Sequence, residues 1–215
     1  MKTLIIAATY FEAKHIIENL SFTKKNDTLF SNNEYNCDIL ISGVGIPACL
    51  FALLSFNNIK EYEFFINIGI AGSFKQDLEI GKVFNVVSDS FEDVFIRQNG
   101  EKINVFKSNF NQHFYNLINN GRLYNTSDYP NFFHNLTKIS GISVNMPELN
   151  TSSNYDIETM EGAAFMLVCK HLKKNFIQLR GISNIIPQTK REDWDMKTPI
   201  DNYTKLVLDF LKLNK

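Results

Sequence analysis

Four short stretches carry residue types that could do chemistry: Glu12, Gly69-Ile70-Ala71-Gly72, Met160-Glu161-Gly162 and Ser183-Asn184. Two carboxylates brought to one pocket can hold hydroxyls and polarise a water, and an amide can address a heterocycle with one donor and one acceptor. Glu161 is the most informative of these residues. It opens the run Gly162 to Cys169, the most apolar helical stretch in the chain, where a carboxylate is buried unless something polar meets it. The plainer reading is that Glu161 caps that helix. Glu12, close to a helix start, can likewise serve only the helix dipole. Asn184 taken alone is ordinary turn chemistry. The small residues of Gly69–Gly72 let another group approach the backbone closely.

The elements that must position these residues follow from the hydrophobic pattern. Leu4 to Ala8 is a continuous apolar run, the pattern of a strand covered on both faces, and Ala13 to Leu20 has helical spacing. Cys37 to Ser42 reads as a second strand. Gly43-Val44-Gly45 then forms a tight turn, and Pro47 suits the first turn of a helix running to about Asn57. Phe64 to Ile68 is a third buried strand, expected to end at Gly69. Val83 to Ser88, Val94 to Arg97 and Ile103 to Phe106 are further strands, the last two joined by an Asn99-Gly100 hairpin turn. A helix is expected over Phe114 to Ile118 and a strand over Ile142 to Val144, and the polar stretch from about Tyr124 to Asn135 has no clear periodicity. The closing unit is a strand at Tyr155–Thr159, a helix at Glu161–Leu172, a strand at Phe176–Arg180 and an amphipathic helix at Ile200–Leu213. Strands alternating with helices, plus a hairpin, predict an α/β protein: one domain spanning 1–215, a three-layer α/β/α sandwich with a central mixed β-sheet. Glu12, Gly69–Gly72, Glu161 and Ser183-Asn184 all fall at carboxyl ends of predicted strands, where such folds bind ligands.

These stretches resemble the nucleoside phosphorylase and nucleosidase superfamily, in particular its methylthioadenosine/S-adenosylhomocysteine nucleosidases and futalosine hydrolases. The resemblance spans nearly the whole chain. It rests on Ala8-Thr9-Tyr10-Phe11-Glu12-Ala13, Asn67-Ile68-Gly69-Ile70-Ala71-Gly72, Glu158-Thr159-Met160-Glu161-Gly162-Ala163-Ala164 and Arg180-Gly181-Ile182-Ser183-Asn184. It implies that Glu161 grips ribose hydroxyls, that Met160 packs on the sugar, that Glu12 holds the attacking water, and that Ser183 and Asn184 address the purine. Ile70, Ala71 and Gly72 belong to the same substrate-binding set.

Phosphorylases of this superfamily carry a glycine- and arginine-containing phosphate loop near the N-terminus. Here Ala7-Ala8-Thr9-Tyr10-Phe11-Glu12 has no arginine and ends in a carboxylate that repels phosphate, so water is the expected nucleophile. The adenine-specific nucleosidases carry Asp where this chain has Asn184. An amide can donate to O6 of a 6-oxopurine and accept from N7–H, which points to a hypoxanthine leaving group. Ile182-Ser183-Asn184 followed by Arg191 and Trp194 resembles futalosine hydrolase, which releases hypoxanthine from futalosine on a route to menaquinone. Futalosine bears an aromatic carboxylate on its 5′ side, which a cation and a flat hydrophobe would suit. Arg191 is otherwise a solvated surface charge, and Trp194, the only Trp, otherwise a core or interface residue. The remaining residues around the 5′ group are expected between Phe91 and Asn150. The rival readings are a methylthioadenosine-type nucleosidase and a non-catalytic ligand-binding protein on the same fold.

The bulk composition agrees with a small-molecule partner. The chain has 22 Lys+Arg against 23 Asp+Glu, a net charge of -1, so it lacks the basic excess that sequence-independent nucleic-acid binding needs. The N-terminal apolar run is too short for a membrane span, and no signal cleavage pattern follows it. Cys37, Cys49 and Cys169 sit in apolar runs with no metal spacing, as reduced core residues of a cytoplasmic protein would. No metal and no organic cofactor is expected. The resemblance implies a homodimer or higher homo-oligomer.

Overall fold

The computed structural model of the chain describes residues 1–108, 116–146, 154–187 and 190–215. In chain order the elements are β1 (Thr3–Ala7), α1 (Tyr10–Asn19), β2 (Thr23–Lys24), β3 (Leu29–Asn32), β4 (Cys37–Ile41), α2 (Ile46–Ser55), β5 (Phe64–Ser73) and β6 (Val83–Asp89). There follow β7 (Phe95–Gln98), β8 (Glu101–Asn104), β9 (Leu123–Tyr124), β10 (Lys138–Ser143), β11 (Ile157–Thr159), α3 (Gly162–His171), β12 (Asn175–Ile185) and α4 (Lys197–Leu213).

The main sheet runs β11-β10-β6-β12-β5-β1-β4-β3-β2, with β9 on β6. Its centre is parallel, β12 and β1 flanking β5 and β4 following β1, whereas β12–β6, β3–β4 and β6–β9 are antiparallel. Strand β11 also pairs antiparallel with β5, so β5, β12, β6, β10 and β11 close on themselves. The expected three-layer sandwich around a mixed sheet is what forms. Alternation along β1 shows why its apolar run has to be continuous: Leu4 and Ile6 enter the cluster beneath α2 and α3, and Ile5 and Ala7 the cluster beneath α1 and α4. Each face of the strand is covered by a helical layer, and no residue of β1 is exposed.

Three expectations are corrected. Strand β5 does not end at Ile68 but runs on through Gly69 to Ser73, and β12 continues past Arg180 to Ile185, so Ser183 and Asn184 lie in a strand rather than a loop. Small residues read as breakers in isolation, yet here two long strands pair over their whole length and carry those residues as strand. The Phe95–Asn104 hairpin does form, with Asn99 at φ 51° and Gly100 at φ 87° in its turn, but as a separate two-stranded sheet. Neither of its strands has a buried face to offer the core, and the mixed character of the main sheet comes from other pairings. Strands β2, a polar two-residue edge strand, and β3, between it and β4, are too short for a sequence pattern to announce them. Of the helix expected over Phe114–Ile118, Phe114 and Tyr115 lie outside the described residues, and Asn116 and Leu117 form a turn.

Candidate active site

Glu161 occupies the cap position of α3, but its side chain does not cap the helix. The first amides of α3 are met instead by the Thr159 hydroxyl, which accepts from Gly162 N at 3.2 Å, and by the Ser143 hydroxyl, which accepts from Ala163 N at 2.7 Å. The Glu161 carboxylate is thereby left for another purpose. Its Oε1 accepts the backbone N–H of Gly45 at 2.8 Å, in the turn before α2. Burial raises its pKa, opposed by that N–H and by the charge of Arg180, while Glu12 adds to the rise. The backbone around Gly162 leaves no room for a side chain, since a Cβ there would lie 2.1 Å from Gln178 Oε1 and 2.2 Å from Asp89 Oδ2.

Glu12 serves its helix and also reaches the sheet. Thr9 and Glu12 form a capping box at the start of α1, in which Oε2 accepts from Thr9 N at 3.0 Å and Thr9 Oγ1 at 2.9 Å. The other oxygen, Oε1, accepts from Ile70 N at 3.3 Å in β5. The carboxylate is thus locked by its own helix start and turned toward the sheet. At Gly69 a Cβ would stand 3.0 Å from Glu12 Oε1 and 3.3 Å from Arg180 Nη1, so a side chain there would crowd both groups.

Arg180 belongs to the run Arg180-Gly181-Ile182-Ser183-Asn184, in which the resemblance assigns it no role. It is 1% exposed, donates to the Asn67 side-chain carbonyl and, at 3.1 Å, to Leu179 O. A buried guanidinium is costly without partners. It lies within electrostatic reach of Glu161 and faces Glu12 over Gly69. The signal that could have found it is a charge inside the run Phe176 to Ile182, where every residue is buried.

Ser183 is the extra residue of a register shift in β12, between Ile182, paired with Ala71, and Asn184, paired with Gly72. Such a bulge re-aims side chains at the edge of a site. The Ser183 hydroxyl lies 3.1 Å from Ala71 O and 2.9 Å from Asn184 Oδ1, to either of which it can donate. Given to Oδ1, that bond holds the Asn184 amide with its nitrogen turned away.

One cavity of about 290 Å³ collects the expected residues: Glu12, Ile70, Ala71, Gly72, Met160, Glu161, Ser183, Asn184, Arg191 and Trp194 all line it. Arg191 is exposed and Trp194 half-buried, on the turn that leads into α4, which Asp195 N ties to Ser183 O at 3.0 Å. Thr9, Phe11, Val44, Glu158 and Met196 line the same cavity and were not singled out as site residues from sequence. Among the described residues of 91–150, none lines it. No group of three or more His, Cys, Asp or Glu side chains among the described residues is placed to hold a metal ion. Cys37, Cys49 and Cys169 are free and buried, and burial pushes the Cys49 thiol up to about 12. Among the described residues no helix is long and apolar enough to cross a membrane.

No protein-family model matches the sequence, and no curated protein matches it. Solved structures do. A 5′-methylthioadenosine/S-adenosylhomocysteine nucleosidase from Colwellia psychrerythraea in complex with adenine is 18% identical with a TM-score of 0.75, covering 99% of this chain and 95% of its own. The 5′-methylthioadenosine nucleosidase of Arabidopsis thaliana is 19% identical with a TM-score of 0.72, over 97% and 95%. A Chlamydia trachomatis nucleosidase bound to adenine is 13% identical with a TM-score of 0.75, over the full length of both chains. At these identities the likeness is one of fold, and the chain has the nucleoside phosphorylase-like fold over its length.

Proposed function

We propose that the protein hydrolyses the N-glycosidic bond of a purine nucleoside, and that its substrate is a 6-oxopurine nucleoside of the futalosine type. The observation that carries this reading is the convergence of Glu12, Glu161 and Asn184, from three distant parts of the sequence, on one cavity. Structures of the same fold are described with adenine or methylthioadenosine bound, which fits a purine nucleoside as the ligand class.

Breaking the bond builds positive charge on the sugar and negative charge on the departing base. Glu161, anchored through one oxygen by Gly45, offers the other to ribose hydroxyls and lies on the side where positive charge develops. Glu12, held at both oxygens by backbone N–H groups and facing Arg180, is positioned to orient a water against the sugar carbon. Asn184 donates from its nitrogen to O6 and accepts N7–H as hypoxanthine leaves, while Arg191 and Trp194 at the rim receive an aromatic carboxylate on the 5′ side. Phosphate has no counterpart cation at Glu12, where a carboxylate stands instead. A homodimer belongs to the same proposal: Val44 on the cavity rim and Phe51 and Leu54 along α2 are 55%, 75% and 63% exposed, an apolar face turned to solvent.

The test is to offer futalosine, aminofutalosine, methylthioadenosine and inosine to the purified protein, with and without phosphate, and follow base release. Hypoxanthine release from futalosine without phosphate is expected. Dominant adenine release from methylthioadenosine would replace the substrate assignment, and a requirement for phosphate would replace hydrolysis.

A further inference from the structure

Three neighbouring strands set Glu158, Gly72 and Asn184 in a row. Glu158 on β11 pairs antiparallel with Gly72 on β5, and Asn184 on β12 pairs with the same glycine in parallel. Directly paired residues project to the same face of a sheet, and strands lie about 4.8 Å apart, so a carboxyl and an amide flank a site without a side chain. The Asn184 amide leans over that gap, its Nδ2 3.3 Å from where a Gly72 Cβ would be, and Ile186 Cδ1 closes it at 3.0 Å with an apolar surface. All three residues of the row line the cavity. Glu12 and Glu161 are each held by backbone N–H groups, whereas burial is the one influence resolved on the Glu158 carboxyl, and it pushes the pKa up to about 7.

We propose that Glu158 is a specificity-determining residue that reads N1 of the purine, opposite the edge addressed by Asn184, and thereby selects the 6-oxopurine ring. The proposal rests on the purine reading of the cavity. In a 6-oxopurine N1 carries a hydrogen and donates to either form of the carboxyl. In adenine N1 is a bare acceptor, which the carboxylic acid can satisfy with its O–H but which the carboxylate repels. At the N1 edge the acid form therefore serves either base, whereas the ionised form serves hypoxanthine alone, adding to the preference set at the six position by Asn184. Selectivity for hypoxanthine rises with pH through the titration of this one group.

The other ionisable groups around Glu158 act on both bases alike and cancel from a ratio of affinities. They are Glu12, Glu161 and Arg191 in the cavity, Arg180 beneath it, Asp156 and Lys75 beyond the end of the β11–β5 ladder and Lys138 at the start of β10, while β5 itself carries none.

The experiment is calorimetric titration of the full chain, and of Glu158→Gln and Glu158→Leu, with free hypoxanthine and free adenine at pH 6 and pH 8. In the unmodified protein the ratio of the adenine Kd to the hypoxanthine Kd is expected to rise about tenfold between those pH values, the effect of one hydrogen bond exchanged for an unpaired buried acceptor. In both variants the ratio is expected to stay flat, and Glu158→Gln, with donor and acceptor retained, is expected to bind both bases. A ratio in the unmodified protein that does not change with pH, an equal rise in Glu158→Gln, or binding of neither base would overturn the assignment. Base binding with the expected pH response but no turnover of any nucleoside would sink the hydrolase reading and leave Glu158 as assigned. Turnover with a pH-independent ratio would do the reverse.

Discussion

The Glu161 carboxylate accepts the amide of Gly45 at 2.8 Å, joining the start of α3 to the turn before α2 across 116 residues of sequence. This bond, and not helix capping, is what receives a buried carboxylate at the head of an apolar helix. Because Thr159 and Ser143 already satisfy the first amides of α3, replacing the Glu161 carboxylate should leave the helix intact. Glu161→Gln keeps an oxygen for Gly45 and loses the charge that faces the sugar. We expect kcat/KM to fall by about 10²–10³ with Tm nearly unchanged, the size of effect seen when one preorganised electrostatic contact to a transition state is removed. Turnover within about threefold of the unmodified protein would remove Glu161 from the mechanism.

Two substitutions separate the helix-capping role of Glu12 from its proposed catalytic one. Glu12→Gln can still complete a capping box with Thr9, since Gln serves at that position as Glu does. It should fold normally and lose most of its activity. Glu12→Ala removes the carboxylate half of the capping box as well, leaving the Thr9 hydroxyl in place, and should lower unfolding free energy by about 1 kcal/mol in addition through the lost bonds from Thr9. Urea denaturation beside steady-state kinetics checks both. If Glu12→Gln retained full turnover, the residue would be a helix cap that happens to line a cavity.

Glu161 was legible because a carboxylate before Gly162-Ala163-Ala164-Phe165 breaks the local pattern, and a broken pattern at the end of a predicted strand marks a site. Arg180 breaks its pattern as clearly, but its partner Asn67 and its neighbour Glu12 come from other strands, and no local spacing joins them. The ends of β5 and β12 are hidden for the opposite reason. Gly69 to Gly72 carry no β-forming side chains, and what keeps them in a strand is pairing with β12 and β11, a property of topology and not of composition. Glu158 is hidden in the sequence for the same reason, since only that pairing brings it beside Gly72.

Asn184 governs the choice of base in the proposed reaction. Its Oδ1 lies 2.9 Å from the Ser183 hydroxyl, and an aspartate in its place can keep that bond while exchanging the amide nitrogen for an acceptor. Asn184→Asp is therefore expected to shift the kcat/KM ratio toward 6-aminopurine nucleosides by about tenfold or more, because O6 then faces an acceptor. A competition assay with futalosine and aminofutalosine reads the ratio directly. An unchanged ratio would mean that Asn184 does not contact the six-position edge.

Behind α3, Asp89 makes the stability of the fold depend on pH. It is fully buried, and desolvation pushes its pKa up to about 7 from an ordinary value of 3.8, against hydrogen bonds from Ser143 and Ser90 and the charges of Arg180 and Arg122, which lower it. The folded chain therefore holds a proton that the unfolded chain has released over that interval. A group raised in this way contributes stability that is complete below about pH 4 and is lost as pH rises toward 7, on the order of 4 kcal/mol for a shift of this size. Gln178 Nε2 donates to Asp89 Oδ2 at 3.2 Å while Gln178 Oε1 is buried without a partner, so a half-turn of that amide lets the protonated carboxyl, or an Asn in its place, donate to Oε1. Asp89→Asn should thus be tolerated at pH 5 and should stabilise the protein relative to the unmodified chain at pH 8. Urea unfolding of both proteins at the two pH values isolates the effect, because Glu158, raised like Asp89, and Asp27, Asp195 and Asp201, lowered, are the same in both. An unfolding free-energy difference between the two proteins that is equal at pH 5 and pH 8 would show that Asp89 does not take up a proton on folding.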